Sequence, residues 1–190
     1  MGLASPSRAK IDGAAGPMRP ATRPAQAWAH KEGRVNMRLH GAAPVRPDPM
    51  AYLLIQEAFA RYGIAHDEAR IDVLRTLFTK NAVLEVAEGH AKPFQTVTGR
   101  EAMMKNFQSV LAQQADQRRH CITNVILERL TEDEASALAY SIVTVAADGL
   151  LLGASVFYAA DLRREADGVW RFSRIFIGMD AYTTPKPAVS

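Results

Sequence analysis

Hydrophobic residues beyond residue 49 first follow helical spacing. Apolar side chains recur every three or four positions over residues 50–66, which predicts an amphipathic helix. The positions on its apolar face are Tyr52, Ile55, Phe59 and Tyr62. The same spacing in a shorter run predicts a second helix, with the apolar positions Ile71, Leu74, Leu77 and Phe78.

Beyond the second helix, the pattern changes to strands and then back to a helix. Residues 81–86 and 94–98 predict two short strands. The turn between them, at Gly89-His90, is expected to expose His90 to solvent. Gly99 precedes a third predicted helix. The apolar positions of this helix are Met103, Phe107, Val110 and Leu111.

After residue 117 the chain is dominated by long strands. Their predicted bounds are 121–130, 135–147, 150–164 and 169–179. The pairs Asp148-Gly149 and Asp167-Gly168 are typical of hairpin turns. The order predicts an α+β fold, with three N-terminal helices packed on a curved, mostly antiparallel sheet. A long twisted sheet curls, and a helix across its mouth leaves a cavity, which is the expected functional site.

Residues 1–49 differ from the rest of the chain in composition and charge. They are rich in Pro, Gly and Ala and carry a net charge of +5, whereas the remainder carries −2. We expect a disordered basic tail over 1–49, a domain over 50–182 and a loose tail over 183–190. The first segment is also compatible with a start codon assigned too early or with an organelle transit peptide. Because the domain has no basic, aromatic-interleaved stripe, no nucleic-acid partner is expected.

Composition also limits the kinds of site. Cys121 is the single cysteine, so an internal disulfide is excluded. The five histidines show no metal-ligand spacing, and we expect neither a metal nor another cofactor. No apolar run reaches the roughly 20 residues that span a membrane. We therefore expect a cytoplasmic protein without a membrane partner.

His120 is the strongest candidate for chemistry, together with Tyr62 and Asp67 at the end of the first helix. An imidazole accepts a proton near neutral pH, and a carboxylate on its second nitrogen orients the ring and stabilises the imidazolium. The alternatives are a surface or capping role for His120, a helix cap for Asp67 and a core role for Tyr62. His66, one turn beyond Tyr62, is a rival polar group on the same helix face.

Four segments in fixed order carry a family resemblance. They are Tyr62-Gly63-Ile64-Ala65-His66-Asp67, Leu77-Phe78-Thr79-Lys80-Asn81-Ala82-Val83, Gly99-Arg100-Glu101-Ala102, and His120-Cys121-Ile122-Thr123-Asn124 with a late Asp167-Gly168-Val169-Trp170-Arg171-Phe172. Over about residues 50–180 the chain resembles the NTF2-like superfamily of cone-shaped α+β domains, and within it the SnoaL-like group. Scytalone dehydratase, bile-acid dehydratase and lindane dehydrochlorinase are the nearer enzymatic relatives.

The resemblance implies an Asp–His base at Asp67 and His120, with Tyr62 where several dehydratases keep a phenol. Two features depart from the relatives. Ile175 stands where the dehydrochlorinase keeps an arginine, and Arg174 is one step away on the opposite strand face. The predicted strand 135–147 also lacks the second histidine of scytalone dehydratase. Dehydrochlorination and a two-histidine mechanism are therefore not implied.

The resulting hypothesis is a cofactor-independent lyase or isomerase of the dehydratase type that acts on a hydrophobic, cyclic small molecule. Phe94, Tyr140 and Arg174 are expected to line its pocket. The alternatives are a polyketide-cyclase-like enzyme and a non-catalytic protein that binds a small ligand or serves as a scaffold. The outer face of the sheet predicts self-association as a homodimer or homotrimer.

Overall fold

The computed structural model describes residues 48–182, in which three helices precede or interrupt a six-stranded sheet. The helices are α1 (Pro49–Asp67), α2 (Ile71–Thr76) and α3 (Arg100–Leu111). The strands are β1 (Phe78–Glu88), β2 (Gln95–Thr98), β3 (Gln117–Leu130), β4 (Glu134–Ala146), β5 (Leu150–Arg164) and β6 (Trp170–Tyr182). The predicted α+β fold is confirmed. The two predicted tails lie outside the described residues, apart from residues 48 and 49.

The strands are arranged in the order β2-β1-β6-β5-β4-β3. All neighbouring strands are antiparallel except β1 and β6, which run parallel, so the mostly antiparallel sheet is confirmed. The register of β3 against β4 shifts between Thr123 and Ile126, where Asn124 adopts a φ of 54°. Asn tolerates this left-handed conformation better than most residues. A bulge of this kind bends its strand and increases the twist.

The three helices cover one face of the sheet, which we call the inner face. Their apolar positions form a continuous core with the inward residues of the strands, and its largest fully buried aromatic members are Phe59, Phe78, Tyr158 and Phe172. The opposite, outer face carries a smaller cluster around Phe157 and Phe176. No helix within residues 48–182 is long and apolar enough to cross a membrane.

Two element boundaries differ from the prediction in ways that affect the site. Phe78 is the first residue of β1 rather than part of the second helix, because it pairs with Phe172 of β6. Strand β3 begins at Gln117, four residues earlier than Cys121, and His120 is therefore paired within the sheet opposite Val143. Because β3 is the edge strand of the sheet, β4 pairs with it on one side, and the backbone amide of His120 on the other side bonds to α1.

Candidate active site

The last turns of α1 pack closely on β3 because Gly63 has no side chain there. A Cβ placed on Gly63 would lie 3.3 Å from the Cβ of His120 and 3.3 Å from the Cδ1 of Ile122. These distances are shorter than ordinary van der Waals contact, so a side chain at this position would force its neighbours to shift by a few tenths of an ångström. The glycine therefore allows the helix to approach the strand at the level of His120.

The chain leaves α1 immediately after Asp67 through a well-defined C-terminal motif. The amide of Ala69 donates to the carbonyl of His66 at 3.1 Å, and the amide of Arg70 donates to the carbonyl of Ala65 at 2.8 Å. This pair of bonds is a Schellman motif, which requires a left-handed residue. Ala69 occupies that position with a φ of 51°. The motif ends the helix where the Asp67 side chain reaches β3.

Asp67 contacts His120 with both carboxylate oxygens. The backbone amide of His120 donates to Oδ2 at 2.8 Å, and Nδ1 of the ring lies 2.5 Å from Oδ1. Only 5% of the Asp67 side chain and 13% of the His120 side chain are exposed. Since a carboxylate can only accept, the neutral ring carries its proton on Nδ1 and keeps a lone pair on Nε2. The structure thus brings together the two residues that the sequence paired.

His66 joins this pair from the same end of α1. Its ring meets the rings of His120 and Phe107 edge-to-face, with centroid distances of 4.9 Å and 5.8 Å. Burial, followed by the charges of His120 and Arg118, lowers the pKa of His66 from 6.5 to about 4, although Asp67 acts in the opposite direction. His66 is therefore a neutral imidazole at physiological pH.

Tyr62 lies beside this cluster within the aromatic core. Its ring is 6.2 Å from that of His66 and 6.0 Å from that of Tyr158, and 2% of the residue is exposed. Burial, with smaller contributions from Tyr158 and Asp67, raises the pKa of Tyr62 well above 10. Burial also raises the pKa of Tyr158, and the nearby Ser141 only partly opposes it. Both phenols are therefore neutral and able to donate a hydrogen bond.

The three residues expected to line the pocket lie elsewhere. Tyr140 pairs in register with Thr123 and Phe157, on the outer face, and 48% of it is exposed. Alternation along β3 and β4 places it on the side of the sheet opposite His120. Successive side chains of a strand point to opposite faces, so an error of one residue in the register places Tyr140 on the wrong face. The register between strands was not available from the sequence.

Arg174 also belongs to the outer face. It pairs with Glu85 at 2.5 Å and with Asp161 at 3.9 Å. Its neighbour Ile175 is fully buried in the core, as alternation along β6 requires. The structure therefore does not bring Arg174 to the Asp67–His120 pair.

Phe94 lies on the surface before β2, with 60% of the residue exposed. It borders a shallow cavity of about 260 Å³ that is also lined by Glu88, Lys92 and Tyr182. The residues of the Asp67–His120 cluster do not line this cavity.

His90 is half-buried, contrary to the expectation of exposure. Its ring stacks on Phe157, with 4.2 Å between centroids and 23° between planes. The outer face has room for Phe157 because Gly178 lacks a side chain. A Cβ at Gly178 would overlap the Phe157 ring.

His66, Asp67 and His120 are also the one group within residues 48–182 whose side chains present three ligand-type atoms within 4.8 Å of one another. Sequence spacing missed this group because its members come from two separate elements. Both oxygens of Asp67 already accept hydrogen bonds from His120, so a cation would have to displace Nδ1. The predicted absence of a metal stays a prediction.

Sequence reasoning missed Tyr158, Ser141 and Arg118, all of which lie near the cluster. Tyr158 could have been found from the alternation of β5, because Val156 and Ala160 on either side are core residues. Arg118 is two positions from His120 on β3 and is paired with Asp116 at 2.9 Å. Ser141 gives no local signal, since its position depends on the register of β4.

These features define a cone-shaped α+β domain of the NTF2-like, cystatin-like class, with a paired carboxylate and histidine on its inner face. Residues 50–175 match the model of the SnoaL-like domain, and the chain belongs to this family. The resemblance inferred from the sequence is thereby confirmed. Domains of this fold commonly bind small hydrophobic ligands. No curated protein sequence matches the chain.

Solved structures show the same fold. A protein of unknown function with a cystatin-like fold from Nostoc punctiforme has 24% identity and a TM-score of 0.61, over 70% of this chain and 92% of its own. The β subunit assigned to an aromatic-ring-hydroxylating dioxygenase of Novosphingobium aromaticivorans has 20% identity and a TM-score of 0.62, over 70% and 92%. LinA has 20% identity and a TM-score of 0.58, over 74% and 92%.

Proposed function

We propose that this protein is a cofactor-independent lyase or isomerase of the dehydratase type, in which His120 removes a proton from a hydrophobic cyclic small molecule. The observation that carries the proposal is the double contact between His120 and Asp67. One oxygen of Asp67 binds the backbone of His120 and the other binds its ring. Such a contact orients the imidazole as well as stabilising its charge.

The base is Nε2 of His120. Asp67 accepts a hydrogen bond from Nδ1–H, so Nε2 keeps its lone pair. This lone pair takes a proton from a carbon atom of the substrate. The imidazolium that forms lies directly against a carboxylate of which 5% is exposed. Since solvent screens such a buried pair poorly, the carboxylate stabilises the charge more than it would in water.

Tyr62 is proposed to polarise the substrate oxygen as a neutral donor. Its raised pKa keeps the phenol protonated, which a hydrogen-bond donor requires. Its ring also packs among those of Phe78, Phe107 and Phe172, which is a core position. Replacement of Tyr62 by Phe keeps this packing and removes only the hydroxyl. We expect Tyr62→Phe to lower turnover by about tenfold, the effect of roughly one hydrogen bond to the substrate, with little loss of stability because the ring packing is kept.

The proposal is tested by proton exchange. The full chain is incubated in deuterated water with cyclohexanone, 2-tetralone and 3-hydroxycyclohexanone, and NMR follows exchange next to the carbonyl and loss of water. We expect the wild-type protein to accelerate exchange, and His120→Gln to lower the rate by about 10²–10⁴-fold, the usual contribution of a general base. Asp67→Asn should lower it as well.

Asp161→Asn is the matched control for Asp67→Asn. Asp161 is a carboxylate of the outer face that accepts a bond from Ser136 at 2.8 Å. The Asp161→Asn variant should have the same exchange rate as the wild-type protein. Equal rates in the wild-type protein and in His120→Gln would contradict the proposal. Formation of a new carbon–carbon bond in the products, with the same dependence on His120, would favour the polyketide-cyclase-like alternative.

A non-catalytic scaffold is the second candidate, and the outer face favours it. Ile126, Tyr140 and Ile142 are 39%, 48% and 55% exposed on neighbouring strands. The similarity to a dioxygenase β subunit supports the same reading at the level of the fold.

We propose that a second copy of the chain covers this face, in a homodimer or homotrimer.

Light scattering of the full chain tests this assembly. Tyr140→Glu should shift the mass to that of a monomer, because it buries a charge in the contact. Glu101→Gln, on the solvent side of α3, is the control. A wild-type protein that is monomeric at all concentrations would contradict the proposed assembly.

A further inference from the structure

His66 is a half-buried polar residue that the proposed reaction does not use. It lies in the last turn of α1 beside Asp67, and its ring touches that of His120. Its Nδ1 is enclosed and has no hydrogen-bond partner among residues 48–182. Enclosing a polar atom without a partner costs roughly 1–3 kcal/mol. The size of this cost depends on whether Nδ1 carries a proton, so it favours one tautomer of the neutral His66 ring over the other.

The enclosed Nδ1 decides which nitrogen carries the proton. A proton on Nδ1 would be a buried donor without an acceptor, which folded proteins rarely tolerate. An unused lone pair at the same place is less costly. The neutral ring therefore carries its proton on Nε2, the opposite arrangement to His120. The residue as a whole is half-buried, so part of it remains accessible.

We propose that His66 is a neutral hydrogen-bond donor of the ligand site, which presents Nε2–H to a carbonyl oxygen of the substrate. A nitrogen of His66, a nitrogen of His120 and an oxygen of Asp67 lie within 4.8 Å of one another. The two rings are also edge-to-face with 4.9 Å between their centroids, which is close enough for both histidines to contact one small molecule. The inference rests on the proposed function, since it needs His120 as the base.

The pair of histidines defines a substrate class, namely ketones with a hydrogen on the carbon next to the carbonyl. Nε2 of His120 takes that proton, and the electron pair of the C–H bond forms the carbon–carbon double bond of an enolate. The negative charge moves to the oxygen, where Nε2–H of His66 donates. In a 3-hydroxy ketone the enolate then expels the hydroxyl group, which takes the proton back from His120 and leaves as water.

The charges around His66 agree with a donor that stays neutral. His120 and Arg118 face it from β3 and disfavour a positive ring, whereas Asp67 favours one. Burial is the largest effect and lowers the pKa of His66 to about 4. A neutral imidazole is a weaker acid than an imidazolium. It can therefore stabilise an enolate by a hydrogen bond without giving up its proton.

The first test is the tautomer of each histidine in the ligand-free full chain at pH 7. Long-range ¹H–¹⁵N NMR of protein labelled in histidine distinguishes Nδ1–H, Nε2–H and the charged ring. His66→Gln and His120→Gln assign the signals. We expect Nε2–H for His66 and Nδ1–H for His120. An Nδ1–H or a charged ring at His66 would overturn the proposal, whatever the protein does to any substrate.

The second test is the binding of a matched pair of probes, 2-tetralone and its hydrocarbon tetralin. We expect the wild-type protein to prefer the ketone by about tenfold, the effect of roughly one hydrogen bond. His66→Leu should lose this preference, and His66→Gln, whose amide can donate from a similar position, should keep it. His90→Leu is the control, since His90 is half-buried on the outer face. Equal preference in the wild-type protein and in His66→Leu, or failure of both probes to bind, would overturn the assignment.

The two proposals fail separately. In His120→Gln the preference for the ketone should persist while proton exchange is lost. Loss of exchange in His120→Gln together with an unchanged preference in His66→Leu would refute the role of His66 alone. A ketone preference that depends on His66, without exchange in the wild-type protein, would refute the catalytic proposal and leave His66 as a ligand-binding residue.

Discussion

The inner and outer faces of the sheet carry similar polar side chains, but these side chains differ in how completely they are hydrogen-bonded. On the outer face, Arg174 lies between Glu85 and Asp161, and Asp161 also accepts from Ser136. These groups satisfy one another in a network that remains partly open to solvent. On the inner face, Asp67 contacts His120 so that Nδ1 bonds to the carboxylate and Nε2 keeps its lone pair. A polar cluster thus indicates function where its bonding is incomplete, rather than where charges are most numerous.

The covering helices explain this difference. They remove water from the inner face, where an incomplete set of hydrogen bonds costs free energy unless a ligand completes it. The enclosed Nδ1 of His66 is an example. The Glu85, Asp161 and Arg174 side chains of the outer face remain partly exposed, so solvent can complete their bonds, although Nδ1 of His90 is enclosed on that face as well. The following predictions test this contrast, from the largest effect to the smallest.

The largest effect is expected from acid. The folded-state pKa of His66 is about 4 and its ordinary value is 6.5, so between these values the unfolded chain binds more protons. Stability should therefore fall as the pH decreases from about 6.5 to about 4, by up to about 3 kcal/mol. Urea unfolding at several pH values should show a flatter dependence in His66→Leu than in the wild-type protein and in His90→Leu. The same dependence in all three would contradict the contrast between the faces.

A somewhat smaller effect is expected at Gly178 of the outer face. A Cβ there would overlap the Phe157 ring and lie 2.6 Å from the carbonyl oxygen of Gly89. Gly178→Ala should lower the free energy of unfolding by about 2 kcal/mol, as overpacking does. A Cβ on Gly149 meets nothing within 4 Å, and Gly149→Ala is the control. Proton exchange per folded molecule should not change, because Gly178 is on the face opposite His120.

Arg174→Met tests whether the outer network takes part in ligand binding. It removes the partner of Glu85 and keeps the aliphatic stem. Since the ion pair is partly exposed, we expect a loss of about 1 kcal/mol or less in urea unfolding. The dissociation constant of 2-tetralone, measured by NMR titration, should be unchanged. A weaker affinity would show that the ligand site extends to Arg174, as the sequence suggested.

The smallest effect concerns the turn that positions Asp67. Ala69 adopts a φ of 51°, which glycine tolerates without a steric penalty. Ala69→Gly should therefore raise the free energy of unfolding by about 0.5 kcal/mol, measured by the urea midpoint. Ala112, the C-cap residue of α3, has a φ of −63°, so Ala112→Gly should give no gain. A loss in both variants would show that Ala69 carries no strain.

Much of the fold could be predicted from the sequence because its signals are local. Helical spacing identified α1, and Asp-Gly pairs identified two hairpins. Phe78 was assigned to the wrong element, because an apolar residue between a helix and a strand fits both patterns. Its pairing with Phe172, which is distant in sequence, decides the matter.

The candidate site was predictable only in part. Asp67 and His120 were paired through the family resemblance, and His66 was recognised as a rival from its spacing to Tyr62. Tyr140 and Arg174 were misplaced in space, because side chains alternate between faces and a prediction must also know the register of each neighbouring strand. The bulge at Asn124 adds a further change of parity within β3.

The sequence by itself determined the element order, the family and the residue types at the end of α1 and the start of β3. Each of these depends on neighbours within a few positions. Only the tertiary structure decided that Gly63 brings α1 close to His120 and that the Nδ1 of His66 is enclosed. These features depend on distances between elements far apart in the chain, and such distances are set by the packing of the whole core.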